Sequence, residues 1–158
     1  MGEVGPKVAV QVQAAIARMA GQRVYIDTNV FIFFLDGNEK YLPVVGPILQ
    51  ACVGGTLFAA TGRLAIAEVM VHPYRHGNAV TISRFKSFFA QKNFLSIAEH
   101  GPDCFDDAAM IAGQKRMKLI DAIHYRTALQ AGCRFLLTND RGFATDAELE
   151  VVQLDDLW

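Results

Sequence analysis

The sequence predicts an α/β fold, a parallel sheet covered on both faces by helices. Three observations carry this. Short strand-like apolar segments alternate with longer segments of helical spacing through most of the chain, the order that builds a parallel sheet with helical crossovers. The chain has 158 residues, 52% apolar and 20% charged, which suits one domain with a substantial core and excludes a disordered chain. No internal repeat, low-complexity tract or linker divides it.

The elements follow in order. Residues 8–20 (VAVQVQAAIARMA) read as an amphipathic helix closed by Gly21, and residues 1–22 form an N-terminal helical extension ahead of the main domain at 23–158. RVYID, 23–27, is a short buried strand. A helical stretch runs from about Asn29 to Leu35 and stops at the turn signal Asp36-Gly37-Asn38. Pro43 opens a helix to Val53, ended by Gly54-Gly55, and TLFAAT (56–61) is a second strand. RLAIAEVMVH (63–72) is a helix expected to end at Pro73, which makes His72 and His76 loop residues. Val80, Ile82, Phe85, Phe88 and Phe89 recur at helical spacing within 78–91. FLSIAE (94–99) is a third strand. Pro102 opens a helix to about Arg116, and a further helix from Leu119 to Ala131 is capped by Gly132. RFLLT (134–138) and LEVVQL (149–154) complete five strands.

Composition excludes several classes. A formal charge of −1 and a pI near 6.4 rule out a protein that coats nucleic acid through bulk charge, so any such contact must be local. Cys52, Cys104 and Cys133 are widely spaced and odd in number, which argues against a disulfide framework or a zinc cluster; they read as small core residues in a reducing compartment. The longest apolar run, Val30 to Leu35, is far too short to span a bilayer, and the N-terminus lacks the apolar core of a signal peptide. A soluble, cytoplasmic protein with no membrane partner is expected.

The stretch RVYIDTNVFIFFLDG places a carboxylate between two apolar segments, costly unless compensated. Asp27 closes the first strand; Asp140 lies just past the fourth; Glu68 lies in the helix after the second; Asp121 lies in the first turn of a late helix. In a parallel α/β sheet, segments just past the strand ends converge on one edge, where ligands bind. Each acid has a simpler reading. Asp27 is a good helix cap, Glu68 an ordinary solvated residue, Asp121 a favourable charge at a helix start, and Asp140 a turn former. Together they form a different object. Two unit charges ~4 Å apart repel by about 4 kcal/mol at an effective dielectric of ~20, so a cluster of four needs protons or cations. Oxygen ligands without cysteine or a clear histidine set select a hard ion, Mg²⁺ or Mn²⁺, and the chemistry that suits is phosphodiester hydrolysis.

The pieces VYIDTNVFIFFL, TGRLAIAEVMVHP, LIDAIHYRTALQAGCRFLLTNDRGF and VVQLDDL, with spacings of 41, 53 and 19 residues between successive acids, resemble the PIN domain, and most closely ribonuclease toxins of the VapBC type. The resemblance covers about residues 23–156. It implies a three-layer α/β/α sandwich with a central, mostly parallel sheet of about five strands. It implies metal-dependent cleavage of RNA, an inhibitory antitoxin partner and homodimers. It makes Asp27, Glu68, Asp121 and Asp140 the catalytic metal ligands and Thr138 and Asn29 their hydrogen-bonding supports, with Thr28 and Asn139 as weaker candidates for support and turn formers as their plainer reading. VFIFFL then reads as core. Lys118 and Arg141, next to Asp121 and Asp140, are the expected RNA contacts. His124, where small apolar residues are usual in the family, reads as a packing or surface histidine, with contact to substrate or a metal-bound water as the alternative. Two other classes stay open: a catalytically silent PIN-like module that binds RNA or protein, and a Mg²⁺-dependent phosphohydrolase of small molecules.

Overall fold

The computed structural model describes residues 5–158; the first four residues of the expected N-terminal extension lie outside the described residues. Five short strands, β1 (Arg23–Ile26), β2 (Phe58–Gly62), β3 (Leu95–Ala98), β4 (Phe135–Thr138) and β5 (Glu150–Gln153), form one sheet. Their order is β3-β2-β1-β4-β5 and every neighbouring pair is parallel. The central strand is held from both sides: Val24 pairs with Ala59 and Phe135, and Tyr25 with Ala60 and Leu136. The chain builds outward from β1 to β2 and β3, then crosses back to place β4 and β5 on the other side. The direction of winding therefore reverses between β1 and β4, and such a switch point opens a crevice at the carboxyl ends of the strands.

Among the described residues seven helices cover the sheet: α1 (Pro6–Met19), α2 (Thr28–Leu35), α3 (Leu42–Val53), α4 (Arg63–His76), α5 (Ala79–Phe89), α6 (Pro102–Lys115) and α7 (Leu119–Gln130). Alternation along the strands divides the core into layers. Val24, Ile26, Ala59, Phe135 and Leu137 face the larger cluster, shared with α1 to α5. Tyr25, Ala60 and Leu136 face the opposite side, where Tyr125 and Ala128 of α7 join Cys133, Phe143 and Leu149. This is the three-layer α/β/α sandwich with a parallel five-stranded sheet.

VFIFFL packs as core: Val30 and Phe31 are buried, and Ile32, Phe33, Phe34 and Leu35 lean against the same cluster. Burying a side chain such as Phe31 contributes roughly 1.5–3 kcal/mol. Helix α1 shows the expected stripe, with Val8, Val12, Ala15, Ile16 and Met19 entering that cluster. Cys52, Cys104 and Cys133 are free and buried. Among the described residues no helix is long and apolar enough to cross a membrane.

Helix α4 departs from expectation. It does not stop at Pro73 but continues to His76. A proline in a helix interior loses its own N–H bond and crowds the carbonyl four residues back, yet Pro73 is accommodated, buried within the helix. The stop comes from Gly77, whose φ of 64° lets its N–H reach the carbonyls of Pro73 and Tyr74. His72 and His76 are consequently helical residues one turn apart, their rings meeting edge to face at 4.4 Å, and not part of a loop. A short 3-10 turn at Leu154–Leu157 closes the chain.

Candidate active site at the carboxyl edge of the sheet

Asp27 is the last residue before α2 and caps it, accepting a hydrogen bond from the Thr28 N–H at 2.8 Å. It is only 4% exposed. Its other oxygen accepts from the Thr138 hydroxyl at 2.6 Å and from the Asn29 amide at 3.2 Å. The same two residues grip the segment after β4: Asn29 Oδ1 accepts from the Asn139 N–H at 3.0 Å, and Thr138 Oγ1 from the Asp140 N–H at 2.9 Å. The ends of β1 and β4 are thus knitted across the switch point. Burial pushes the Asp27 carboxyl up, and the positive side of His124 with the Thr138 and Thr28 donors pulls it only partly back.

Glu68 reaches the crevice from α4. Its Oε1 accepts from the Thr28 hydroxyl at 2.9 Å and pairs with His124 Nε2 at 2.6 Å. The same nitrogen stands 3.9 Å from Asp27 Oδ1, so one imidazole nitrogen lies against both carboxylates. His124 is 2% exposed. Burial disfavours its charge, but the Glu68 bond and the Asp27, Glu68 and Asp121 carboxylates outweigh that and raise its pKa. For Glu68, burial would raise the carboxyl, but the His124 and Thr28 contacts win and lower it. Thr28 is therefore a contact of the site, not only a turn former, and His124 lies at its centre.

Asp121 stands in the first turn of α7, and Asp140 in the turn after β4, where its Oδ1 accepts from the Gly142 N–H at 2.7 Å. Gly142 locates the two acids together. A Cβ at that position would lie 3.0 Å from Asp140 Oδ1 and 3.1 Å from Asp121 Oδ2, so the absence of a side chain keeps the space between them open. The Asp121 carboxyl is raised, first by burial and then by the charges of Asp140 and Asp27.

The C-terminal segment takes hold of the Asp140 turn residue by residue. Gln153 Nε2 donates to the Asp140 carbonyl at 2.8 Å, the Asp155 N–H donates to Asn139 Oδ1 at 3.2 Å, and Arg141 pairs with Asp156 at 2.8 Å. Asn139 also donates to the Tyr41 hydroxyl at 2.9 Å, so it bridges the turn after β4 to Tyr41. Arg141, expected to face RNA, is engaged by Asp156 on the exposed surface. Lys118 is exposed directly before α7, near enough to Asp121 to favour its charged form.

The fold thus gathers Asp27, Glu68, Asp121 and Asp140 at one edge, with Asn29 and Thr138 bonded to Asp27. Sequence reasoning read His124 first as a packing or surface histidine and did not pair it with Glu68. The signal available was a polar residue inside the apolar run of α7, which needs a partner when buried. Among the described residues no group of three or more His, Cys, Asp or Glu side chains is arranged to enclose a metal ion. A hard divalent ion does not require such a cage: Mg²⁺ is usually held through one or two carboxylates and keeps several waters. The oxygen-only side chains of Asp121 and Asp140 on either side of Gly142 fit that kind of ion.

The PIN domain family model matches residues 24–148. Sequence comparison with curated proteins finds no match. Among solved structures, a toxin–antitoxin complex from Klebsiella pneumoniae has a chain with a TM-score of 0.64 and 21% identity, the match covering 83% of this chain and 97% of that one. VapBC2 from Rickettsia felis, bound to a DNA fragment from its promoter, gives 0.64 at 14% identity over 83% and 98%. The sarcin–ricin loop cleaving toxin VapC20 from Mycobacterium tuberculosis gives 0.58 at 10% identity over 79% and 91%. The fold of this chain is that of these matched chains, and with the family model matching residues 24–148, the chain belongs to the PIN domain family.

Proposed function

We propose that this chain is a metal-dependent endoribonuclease that hydrolyses RNA phosphodiester bonds, and that it is the toxin of a VapBC-type toxin–antitoxin pair. Family membership supports a nuclease-like activity, and structures of similar fold are described as toxin–antitoxin complexes and as an RNA-loop cleaving toxin. The observation that carries the reading is the convergence of Asp27, Glu68, Asp121 and Asp140 on the crevice between β1 and β4.

In this reading Asp27, Asp121 and Asp140 hold Mg²⁺ or Mn²⁺, with Glu68 completing the acidic set. The chemistry such an ion supplies is activation of water and neutralisation of charge at the phosphate. The chain's own residues do the rest. Thr138, Asn29 and the Thr28 N–H keep Asp27 in one orientation. Gly142 leaves room beside Asp121 and Asp140. Lys118 and, once released from Asp156, Arg141 contact the RNA backbone, as phosphate recognition requires. The exposed apolar side chains of Phe105 and Met110 on α6 and of Leu119 and Ile120 on α7 offer a surface for the homodimer or the antitoxin.

A second reading, a catalytically silent module that binds RNA or protein, draws on one observation: Glu68 already has His124 as its counter-charge. Incubation of the chain with structured and single-stranded RNA in Mg²⁺ or Mn²⁺, beside EDTA and beside Asp27→Asn, separates the two. Nuclease function predicts cleavage by the wild type alone, abolished by EDTA and by a folded Asp27→Asn. Binding without turnover in either metal supports the silent module.

A further inference from the structure

Glu68 is held by one oxygen only. The Thr28 hydroxyl and His124 Nε2 both bind Oε1, at 2.9 and 2.6 Å, and Oε2 makes no hydrogen bond among the described residues. Behind the imidazole, the Tyr25 hydroxyl meets His124 Nδ1 at 2.8 Å, with the two rings edge to face and their centroids 5.9 Å apart. Tyr25 is wholly buried on the central strand. A hydrogen-bonded line therefore runs from the middle of the sheet to the acid on α4.

We propose that Tyr25 and His124 are positioning residues that fix Glu68, with Oε1 turned inward against His124 and Thr28 and Oε2 left as the oxygen presented to the crevice. A carboxylate can only accept, so Nε2 is the donor in this pair. Both the neutral ring protonated at Nε2 and the charged ring carry that proton, so the arrangement does not depend on the histidine's charge. Glutamate has three side-chain torsions, and a ligand free to turn loses affinity when it must be ordered. Tyr25 restrains the ring because its hydroxyl is the partner of Nδ1 on the face away from Glu68. The part of the inference that concerns a cation rests on the nuclease reading above; the orientation of Glu68 does not.

The experiment compares wild type, His124→Ala, His124→Gln and Tyr25→Phe by two readouts. The first is Mn²⁺ affinity, from the free-ion paramagnetic resonance signal during titration. The second is the ¹³C resonance of the Glu68 carboxylate in metal-free protein. We expect His124→Ala to weaken Mn²⁺ binding roughly 10- to 100-fold, the range for loss of a residue that orients a ligand, and to move the Glu68 resonance. His124→Gln, whose amide N–H can replace Nε2–H, should restore both to within a few-fold and close to the wild-type shift. Tyr25→Phe should fall between. A folded His124→Ala with wild-type Mn²⁺ affinity and an unmoved Glu68 resonance overturns the proposal. If the wild type binds no Mn²⁺, the nuclease reading fails, and the carboxylate resonance alone still decides whether His124 positions Glu68. If His124→Ala does not fold, Glu68→Ala read from the histidine side replaces it: the Nε2 proton of His124 should lose its downfield shift, and an unchanged signal overturns the proposal.

Discussion

Thr138 donates its hydroxyl to Asp27 Oδ2 at 2.6 Å, joining the carboxyl ends of β4 and β1 across the point where the sheet reverses its winding. The two residues are 111 apart in sequence, and the parallel pairing of Ile26 with Leu137 brings them together. The bond does two things at once. It compensates part of the cost of a buried carboxylate, and it sets which way that carboxylate faces. Much of the site's geometry depends on it, because Thr138 Oγ1 also accepts from the Asp140 N–H and from Asn29.

Thr138→Val preserves shape and removes the hydroxyl. Asp27 then loses its shortest donor and the Asp140 N–H loses its acceptor. We expect a loss of about 2–3 kcal/mol in urea unfolding with an unchanged m value, since each unsatisfied group of this kind costs about 1–3 kcal/mol. A midpoint equal to wild type would show that the hydroxyl does not hold the two strand ends together.

Gly142→Ala tests the space between Asp121 and Asp140. The added methyl would lie within 3.0–3.1 Å of an oxygen from each, so one carboxylate must move. On the nuclease reading, cleavage should fall at least about tenfold, because displacement of a positioned group by ~1 Å costs up to ~100-fold. The thermal midpoint should change by only a few degrees. Undiminished cleavage would place the working acids elsewhere.

Asp146 supplies an acid-side signature. Its Oδ2 accepts from Lys115 at 2.9 Å and from the Tyr125 hydroxyl, and its Oδ1 accepts from the Glu148 and Leu149 N–H groups at 2.9 Å. Burial would raise this carboxyl, but the donors outweigh it and hold it far below the usual range. A depressed folded value contributes stability in full above the ordinary Asp value near 4 and loses it progressively below that pH. Asp27 and Asp121, which are raised, work in the opposite sense, so the comparison must be between variants. Asp146→Asn should be roughly 1–2 kcal/mol less stable at pH 7, and the gap should close as the pH falls from about 4 toward 2. A gap independent of pH would refute the assignment.

Gly77→Ala probes the stop signal of α4. Placing a Cβ at φ 64° costs about 1–2 kcal/mol, expected as a lower denaturation midpoint without change in the site. An unchanged midpoint would mean that the helix end is set elsewhere.

That helix also shows where sequence reading stops. Pro73 is the stronger punctuation mark in a string of residues, yet the buried proline is accommodated within α4, and a left-handed glycine four residues later ends the helix. The strands were readable because each is a short apolar run between turn signals, and a buried parallel sheet demands that composition. The placement of the four acids was readable for a topological reason: Asp27 and Asp140 sit just past strand ends, Glu68 in the helix after β2, and Asp121 in the first turn of α7. His124 was not, because its partners Tyr25 and Glu68 lie 99 and 56 residues away, and its helix is buried on several sides, with Ala122, Ile123, His124 and Tyr125 in succession. The Arg141 pairing was not legible for the same reason: Asp156, 15 residues on and brought alongside by β5, holds its guanidinium.

The central claim is that the crevice between β1 and β4 binds a divalent cation through its acids. The most direct measurement is anomalous diffraction from crystals of the chain soaked in Mn²⁺. The account predicts a peak within ligand distance of carboxylate oxygens from Asp27, Glu68, Asp121 or Asp140. A saturating soak that leaves this crevice without a peak, or places manganese only at other surfaces, would contradict it.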